Sequence, residues 1–182
     1  STQSRSSAAS DVYKRQALLG DLQLDFSPLE QDLKQNILQR DFTCNALAFD
    51  LSSGKLIDLV GGVQDIKNGV LRFINETESF SADPLRIVRA ARFGPGQGFK
   101  VSDRILIEIR LKKIFLREVK NERIGQEFFK LFLCRNVYDA LMFCHEEGVL
   151  AELIDWWKDC VDFQQNEFHT EDVANHSLTV LR

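Results

Sequence analysis

Short segments of alternating apolar and polar residues occupy the first part of the chain. Near the start, Leu22, Leu24 and Phe26 alternate with polar residues, which predicts a strand with these three side chains on its buried face. Residues 47–51 alternate in the same way, and a Ser-Ser-Gly-Lys turn separates them from the apolar residues 56–60. This arrangement predicts a β-hairpin.

Helical spacing dominates the rest of the chain. A helical run is predicted from Pro28, and from Asp83 onward apolar residues recur every three or four positions. The glycine-rich sequence 94–98 should break the first of these later helices, and Ser102 is a candidate N-cap for the next. Further helices are predicted at Glu122–Cys134, Val137–Gly148 and Leu150–Val161. The predicted fold class is α+β, a mixed piece followed by a helical region.

Composition narrows the class of protein. With 182 residues and 44% apolar content, the chain can bury a core. Its four cysteines are widely spaced, which argues against a zinc ribbon or a disulfide framework and suits a reducing compartment. No apolar run approaches the roughly 20 residues of a membrane span, and no signal peptide is visible. We therefore expect a soluble, cytoplasmic protein without a membrane partner.

The net charge of −4 does not indicate a nucleic-acid partner, but the distribution of the charges along the chain does. Residues 86–123 contain eleven Lys and Arg but four Asp and Glu, a local excess of +7 in an acidic chain. Such an excess is typical of a surface that follows phosphates, and it is equally compatible with solvated helix faces.

The segment 81–93 contains a candidate recognition pair. Asp83 and Arg86 lie three positions apart near a helix start, where they are neighbours on one face. A carboxylate accepts hydrogen bonds and a guanidinium donates them, so together they can match the edge of a nucleobase. A capped helix with an internal ion pair is the alternative.

Four stretches in order resemble sequence elements of one family, the class II tRNA nucleotidyltransferases (CCA-adding enzymes) with the related bacterial poly(A) polymerases. Residues 39–46 (QRDFTCNA) resemble its Arg-Arg-Asp-Phe-Thr-x-Asn-Ala element, and residues 58–62 (DLVGG) its Asp-x-x-Gly-Gly element. Residues 82–86 (ADPLR) resemble Glu-Asp-x-x-Arg, and residues 122–128 (ERIGQEF) resemble Glu-Arg-x-x-x-Glu-Phe. Four ordered elements are far more specific than one. The resemblance implies a polymerase β-like nucleotidyltransferase head followed by a helical neck.

The resemblance also implies residue roles. The implied nucleotide-binding residues are Arg40, Asp41, Asn45, Asp83, Arg86 and Arg89. The first two would contact the sugar. The carboxylate of Asp83 would accept from the exocyclic amine of cytosine or adenine, while Arg86 would donate to the adjacent ring acceptor. Guanine and uracil present the opposite pattern, so one pair would admit C and A.

Other matching residues have implied structural roles. Asp58, Gly61 and Gly62 match a hinge between head and neck, and adjacent glycines can adopt positive φ; a plain strand-ending turn is the alternative. Glu122, Arg123 and Glu127 would tie a neck helix in place and take no part in catalysis.

The sequence elements that hold the metal in this family have no counterpart in this chain. The family's members transfer a nucleotide with Mg²⁺ held by carboxylates in a Gly-rich element and an Asp-x-Asp that precede the first element above. No stretch of this sequence matches either element, so we expect no catalytic residue among the matched positions and no Mg²⁺ ligand in this chain. Asp25 is a candidate only in the sense that it could lie on a later strand near the site. We expect an N-terminally truncated fragment that is inactive alone. His176 resembles the first metal ligand of a His-Asp phosphohydrolase-like domain, and an ordinary polar histidine is the favoured alternative.

These inferences lead to a domain plan and to competing functions. The expected regions are a tag-like segment at 1–16, a head remnant at 17–75, a helical neck at 76–148 and an incomplete further domain at 149–182. The leading hypothesis is addition of C and/or A to tRNA 3′ ends from CTP and ATP. A poly(A) polymerase and a non-catalytic RNA-binding module are the alternatives, and the sequence does not decide the oligomeric state.

Overall fold

The computed structural model describes residues 15–19, 22–26, 28–29, 32–74, 80–81, 83–163 and 172–182. Contacts between Cα atoms divide the chain into two compact units, Ser1–Asn36 and Ile37–Arg182. Each unit is considered by itself below. The division into head, neck and further domain stays a prediction.

The first unit contains an antiparallel hairpin of β1 (Arg15–Leu19) and β2 (Leu22–Phe26). The predicted strand is confirmed, but β1 begins within the segment that the sequence suggested was tag-like. The predicted burial is wrong, because Leu24 is 37% exposed and Phe26 is 54% exposed. A two-stranded hairpin has no second layer of its own to cover a face. The side chain of Leu22 lies outside the described residues.

The second unit opens with short elements. The helix α1 (Leu33–Leu38), which spans the boundary between the units, starts later than the predicted Pro28, and Leu29 is exposed. The predicted hairpin is confirmed as β3 (Leu47–Asp50) and β4 (Lys55–Asp58), with Phe49 opposite Leu56. It is followed by α2 (Gly62–Asn68) and by β5 (Val70–Leu71), which pairs in parallel with β6 (Lys100–Val101). Two-residue strands are too short to produce a periodic signal, so β6 was not predicted.

Helices make up most of the remainder. Their bounds are α3 (Arg86–Phe93), α4 (Asp103–Lys112), α5 (Asn121–Phe129), α6 (Val137–Glu146), α7 (Leu150–Leu153), α8 (Trp157–Cys160) and α9 (Val173–Thr179). Short 3₁₀ segments cover Thr43–Asn45, Pro95–Gln97, Lys113–Glu118 and Lys130–Leu133. The predicted helix at Leu150–Val161 is two separate turns. Ser102 occupies the N-cap position of α4, but its side chain makes no capping hydrogen bond.

The helix α3 lies in the apolar core, which extends from Phe42 to Leu178. Its residues Ile87, Val88, Ala90 and Ala91 are fully buried. A helix that buries one stripe directs its other residues elsewhere. The arginines of α3 therefore project from the core toward neighbouring segments. Among the described residues, no helix is long and apolar enough to cross a membrane.

Candidate nucleotide-binding site

Three arginines on α3 contact two other segments of the chain. Arg89 bonds Asp41, with Nε and Nη2 each 2.6 Å from Oδ2. Arg86 donates from Nη2 to the carbonyl oxygen of Gln39 at 3.1 Å. Arg92 pairs with Glu127 of α5. The helix thus joins the 39–46 stretch on one side to α5 on the other.

Asp41 is the buried centre of the first contact. Its side chain is only 4% exposed, and Oδ1 accepts from the backbone N–H of Phe42 at 2.9 Å and from Asn45 Nδ2 at 3.2 Å. Both carboxylate oxygens therefore have protein partners, as a buried charge requires. Asp41 orients Arg89, whereas the neighbouring Arg40 is exposed at the surface.

The side chains of Asp83 and Arg86 are directed to different neighbours. The half-buried Asp83 places Oδ1 3.4 Å from Nη2 of Arg123, a loose contact. The helix α3 begins at Arg86, later than the start predicted at Asp83 and Pro84, and the Arg86 backbone N–H donates to the Asp83 carbonyl at 3.1 Å in the turn that leads into the helix. The pair has the spacing for a base edge, although its groups are turned apart here.

Asp83 borders two pockets. The larger one has a volume of about 640 Å³ and is also lined by Phe115, Lys120 and Arg123. The smaller one, of about 180 Å³, lies between α3 and α5. A carboxylate that borders open space can meet a ligand without a change of fold.

Residues of the fourth element anchor α5. Glu127 is buried and accepts from Arg92 at 2.9 Å and from Lys130 at 3.0 Å. Arg123 contacts Asp83, while Glu122 lies exposed. This geometry is compatible with the structural role predicted for the three residues, which remains a prediction.

The second element forms a tightly bonded turn at the start of α2. The carboxylate of Asp58 accepts four backbone N–H groups, those of Val60, Gly61, Gly62 and Val63, at 2.8–3.2 Å. These bonds, that of Val63 foremost, lower the pKa of Asp58. Gly61 has φ of 81°, and a Cβ on Gly62 would lie 2.2 Å from a backbone oxygen. Local geometry thus accounts for both glycines, and the hinge role stays a prediction.

Within the described part of the chain, seven of the eleven basic residues in 86–123 form ion pairs, and five of the seven pair with acidic residues from other parts of the chain. Ion pairs link Asp41, Asp83, Glu127, Glu147 and Glu152 to arginines of this stretch. Within α4, Arg104 and Lys112 both pair with Glu108. The local excess of positive charge is therefore largely neutralised in the fold, which weakens the prediction of a continuous phosphate-following surface.

A metal site is not evident in the part of the chain that the structure describes, where no group of three or more His, Cys, Asp and Glu could hold an ion. The described residues therefore do not fit the Mg²⁺ that the family resemblance implies. Asp25 lies in β2, but its side chain is outside the described residues. His176 lies exposed on α9.

Comparisons with known proteins identify a family for this chain. Residues 3–72 match the family model of the poly A polymerase head domain. The CCA-adding enzyme of Ligilactobacillus salivarius (strain UCC118) is 44% identical over 114 residues, 62% of this chain and 27% of that protein. The A-adding tRNA nucleotidyltransferase of Deinococcus radiodurans (strain ATCC 13939) is 33% identical over 168 residues, 89% of this chain and 38% of that protein.

A solved structure extends the likeness to the helical region. It is a tRNA nucleotidyltransferase complexed with a primer tRNA and an incoming ATP analog, with a TM-score of 0.67 and 31% identity over 84% of this chain and 46% of that one. This chain belongs to the CCA-adding enzyme family. It spans between a quarter and two fifths of the length of the curated relatives it matches.

Two contacts in this chain were not predicted from its sequence. The pairs Asp41–Arg89 and Asp83–Arg123 join residues 48 and 40 positions apart. Helical spacing predicts neighbours three or four positions apart and carries no information on such distant pairs. Asp41, Asp83 and Arg123 belong to the four family elements and Arg89 follows the third of them, but nothing in these elements pairs one residue with another.

Proposed function

We propose that this chain is the nucleotide-selecting part of an enzyme that adds C and/or A to tRNA 3′ ends from CTP and ATP. The observation that carries the proposal is the convergence of three family elements on α3. Asp41 of the first element bonds Arg89, and Arg123 of the fourth element contacts Asp83, so both ends of the α3 segment are held.

In this proposal Asp83 and Arg86 select the base. The carboxylate accepts from the exocyclic amine of cytosine or adenine, and the guanidinium donates to the ring nitrogen beside that amine. Guanine and uracil place a carbonyl against the carboxylate and an N–H against the guanidinium, so both contacts are lost. One such bidentate contact is worth about 1–3 kcal/mol, which corresponds to roughly tenfold or hundredfold discrimination.

A calorimetric titration of the chain with CTP, ATP, GTP and UTP tests the selection. We expect CTP and ATP to bind at least tenfold more tightly than the other two, and Arg86→Ala to remove the difference. Arg135→Ala is the matched control, since Arg135 is an exposed arginine outside the four elements. Equal affinities for all four nucleotides, unchanged in Arg86→Ala, would refute the proposal.

A poly(A) polymerase is the second candidate. The matching family model carries that description, and one relative is named as A-adding. A site of this kind would bind ATP and reject CTP, although both nucleotides present the same donor and acceptor to Asp83 and Arg86. The ratio of CTP to ATP affinity in the titration therefore separates the two candidates.

We further infer that this chain alone does not transfer nucleotides. No Asp-x-Asp triplet occurs in the sequence, and the described residues hold no cluster suited to Mg²⁺, the ion that the family reaction uses. Four free cysteines suit the reducing cytoplasm in which we place the reaction. Labelled CTP or ATP mixed with tRNA, Mg²⁺ and this chain should yield no labelled tRNA. Mg²⁺-dependent labelling would show that the inference is wrong.

A further inference from the structure

The smaller pocket beside Asp83 is enclosed by charged side chains from two helices. It has a volume of about 180 Å³ and lies between α3 and α5. Its polar lining consists of Asp83, Arg89, Arg123, Gln126, Glu127 and Lys130. Three of these follow one another at a spacing of three or four residues, Arg123 and Gln126 on α5 and Lys130 at the start of the 3₁₀ segment that follows it.

Cations outnumber carboxylates around this pocket. Arg89 is paired with the buried Asp41 at 2.6 Å. Glu127 is shared by two cations, with Arg92 2.8 Å from Oε1 and Lys130 3.0 Å from Oε2. Among the residues that line the pocket, three cations (Arg89, Arg123 and Lys130) stand beside two carboxylates (Asp83 and Glu127). Including the outer partners of these ion pairs, Asp41 and Arg92, gives four cations to three carboxylates. Either count leaves one positive charge beside a partly enclosed space. Such a space attracts an anion.

Two of these cations, Arg123 and Lys130, can donate hydrogen bonds to an anion in the pocket. The contact of Lys130 with Glu127 uses one of three N–H groups, and the side chain is 51% exposed. Arg123 is 57% exposed, and its contact with Asp83 at 3.4 Å is near the limit of a hydrogen bond. An anion between Arg123 and Lys130 would gain shorter, charge-assisted bonds without breaking the buried pairs.

We propose that this pocket binds a phosphate group through Arg123 and Lys130, with Gln126 as a further donor. A water molecule takes about 30 Å³ in the liquid, so the pocket has room for a phosphate with some of its hydration. The phosphate could come from the tail of a nucleotide or from an RNA backbone. The inference uses no contact to a base, although Asp83, the proposed base-selecting carboxylate, also lines this pocket.

Calorimetric titration of the whole chain with tripolyphosphate and with a short single-stranded RNA tests this site at low salt. Lys130→Gln should weaken binding of the true ligand about tenfold, the worth of one charge-assisted contact. Lys130→Arg should restore most of the affinity, since it restores the charge. The matched control is Lys112→Gln, because Lys112 also pairs with a buried glutamate, at 2.7 Å from Glu108.

The two probes distinguish the sources of the phosphate. Loss confined to tripolyphosphate would assign the pocket to the nucleotide tail, and loss confined to RNA would assign it to the backbone. An RNA assignment further predicts that the slope of log affinity against log salt falls by about one unit in Lys130→Gln. Absence of binding by both probes, or equal losses in Lys130→Gln and Lys112→Gln, would overturn the proposal. Either result would leave the proposed base selection intact, because the titration with CTP, ATP, GTP and UTP tests that selection separately.

Discussion

The buried pair of Asp41 and Arg89 should be the strongest single link between the first family element and α3. We expect Arg89→Gln to lower the free energy of unfolding by about 3 kcal/mol, because it leaves the Asp41 carboxylate, which is only 4% exposed, without its counter-charge. Asp41→Asn should cost less, about 2 kcal/mol, since the Arg89 guanidinium that it leaves behind is 32% exposed and water can partly solvate it. The double variant should show a coupling energy of about 2 kcal/mol.

Urea unfolding measures these differences. With a slope of about 2 kcal/mol/M, a loss of 3 kcal/mol moves the midpoint by roughly 1.5 M. Arg104→Gln is the control, because its pair with Glu108 joins neighbouring turns of one helix and should contribute only about 0.5 kcal/mol. A coupling energy between Asp41 and Arg89 as small as this control would refute the reasoning.

Three further predictions concern the glycines, acid stability and a thiol. Gly62→Ala should lower the free energy of unfolding by about 2 kcal/mol or more, because its Cβ would lie 2.2 Å from a carbonyl oxygen. In Gly54→Ala the Cβ would meet open space, so this variant should lose only about 1 kcal/mol, for its φ of 66°. Equal losses in urea unfolding would contradict this. Four backbone N–H groups, that of Val63 foremost, lower the pKa of Asp58 in the folded chain. The ionised Asp58 carboxylate therefore stabilises the fold above the unfolded pKa of about 3.9, and this stabilisation is lost as the pH falls through the lower folded value. An Asp58→Asn variant with an unchanged acid-unfolding profile would contradict this. Burial raises the pKa of Cys144 to about 12, so iodoacetamide at pH 8 should label it only after unfolding, and rapid labelling of the native chain would be the contrary result.

Local patterns in the sequence predicted local structure well. The turn at 52–55 and the alternation around it predicted β3 and β4, and the glycines at 94–98 ended α3 as expected. Burial was harder to predict. Phe26 has the alternation of a buried residue yet is exposed, and of two adjacent tryptophans, Trp157 is buried while Trp156 is 60% exposed. Periodicity indicates which side chains share a face, but the elements packed on that face are set elsewhere in the chain.

The candidate site was predictable only in part. The spacing of Asp83 and Arg86 indicated a shared helix, but α3 begins only at Arg86, and a turn joins Asp83 to it. The directions of their side chains depend on Gln39 and Arg123, which lie on other segments. The positive charge of 86–123 was likewise neutralised by distant carboxylates such as Glu147. Long-range electrostatic partners follow from the tertiary fold and leave no periodic signal.

The central claim is that the Asp83 carboxylate selects the base by accepting from its exocyclic amine. Titration with CTP and with the pyrimidin-2-one ribonucleoside triphosphate, which lacks that amine, tests the contact directly in the native chain and in Asp83→Ala. The account predicts that removing the amine weakens binding about tenfold in the native chain and has no effect in Asp83→Ala. An equal loss in both proteins, or none in either, would contradict it.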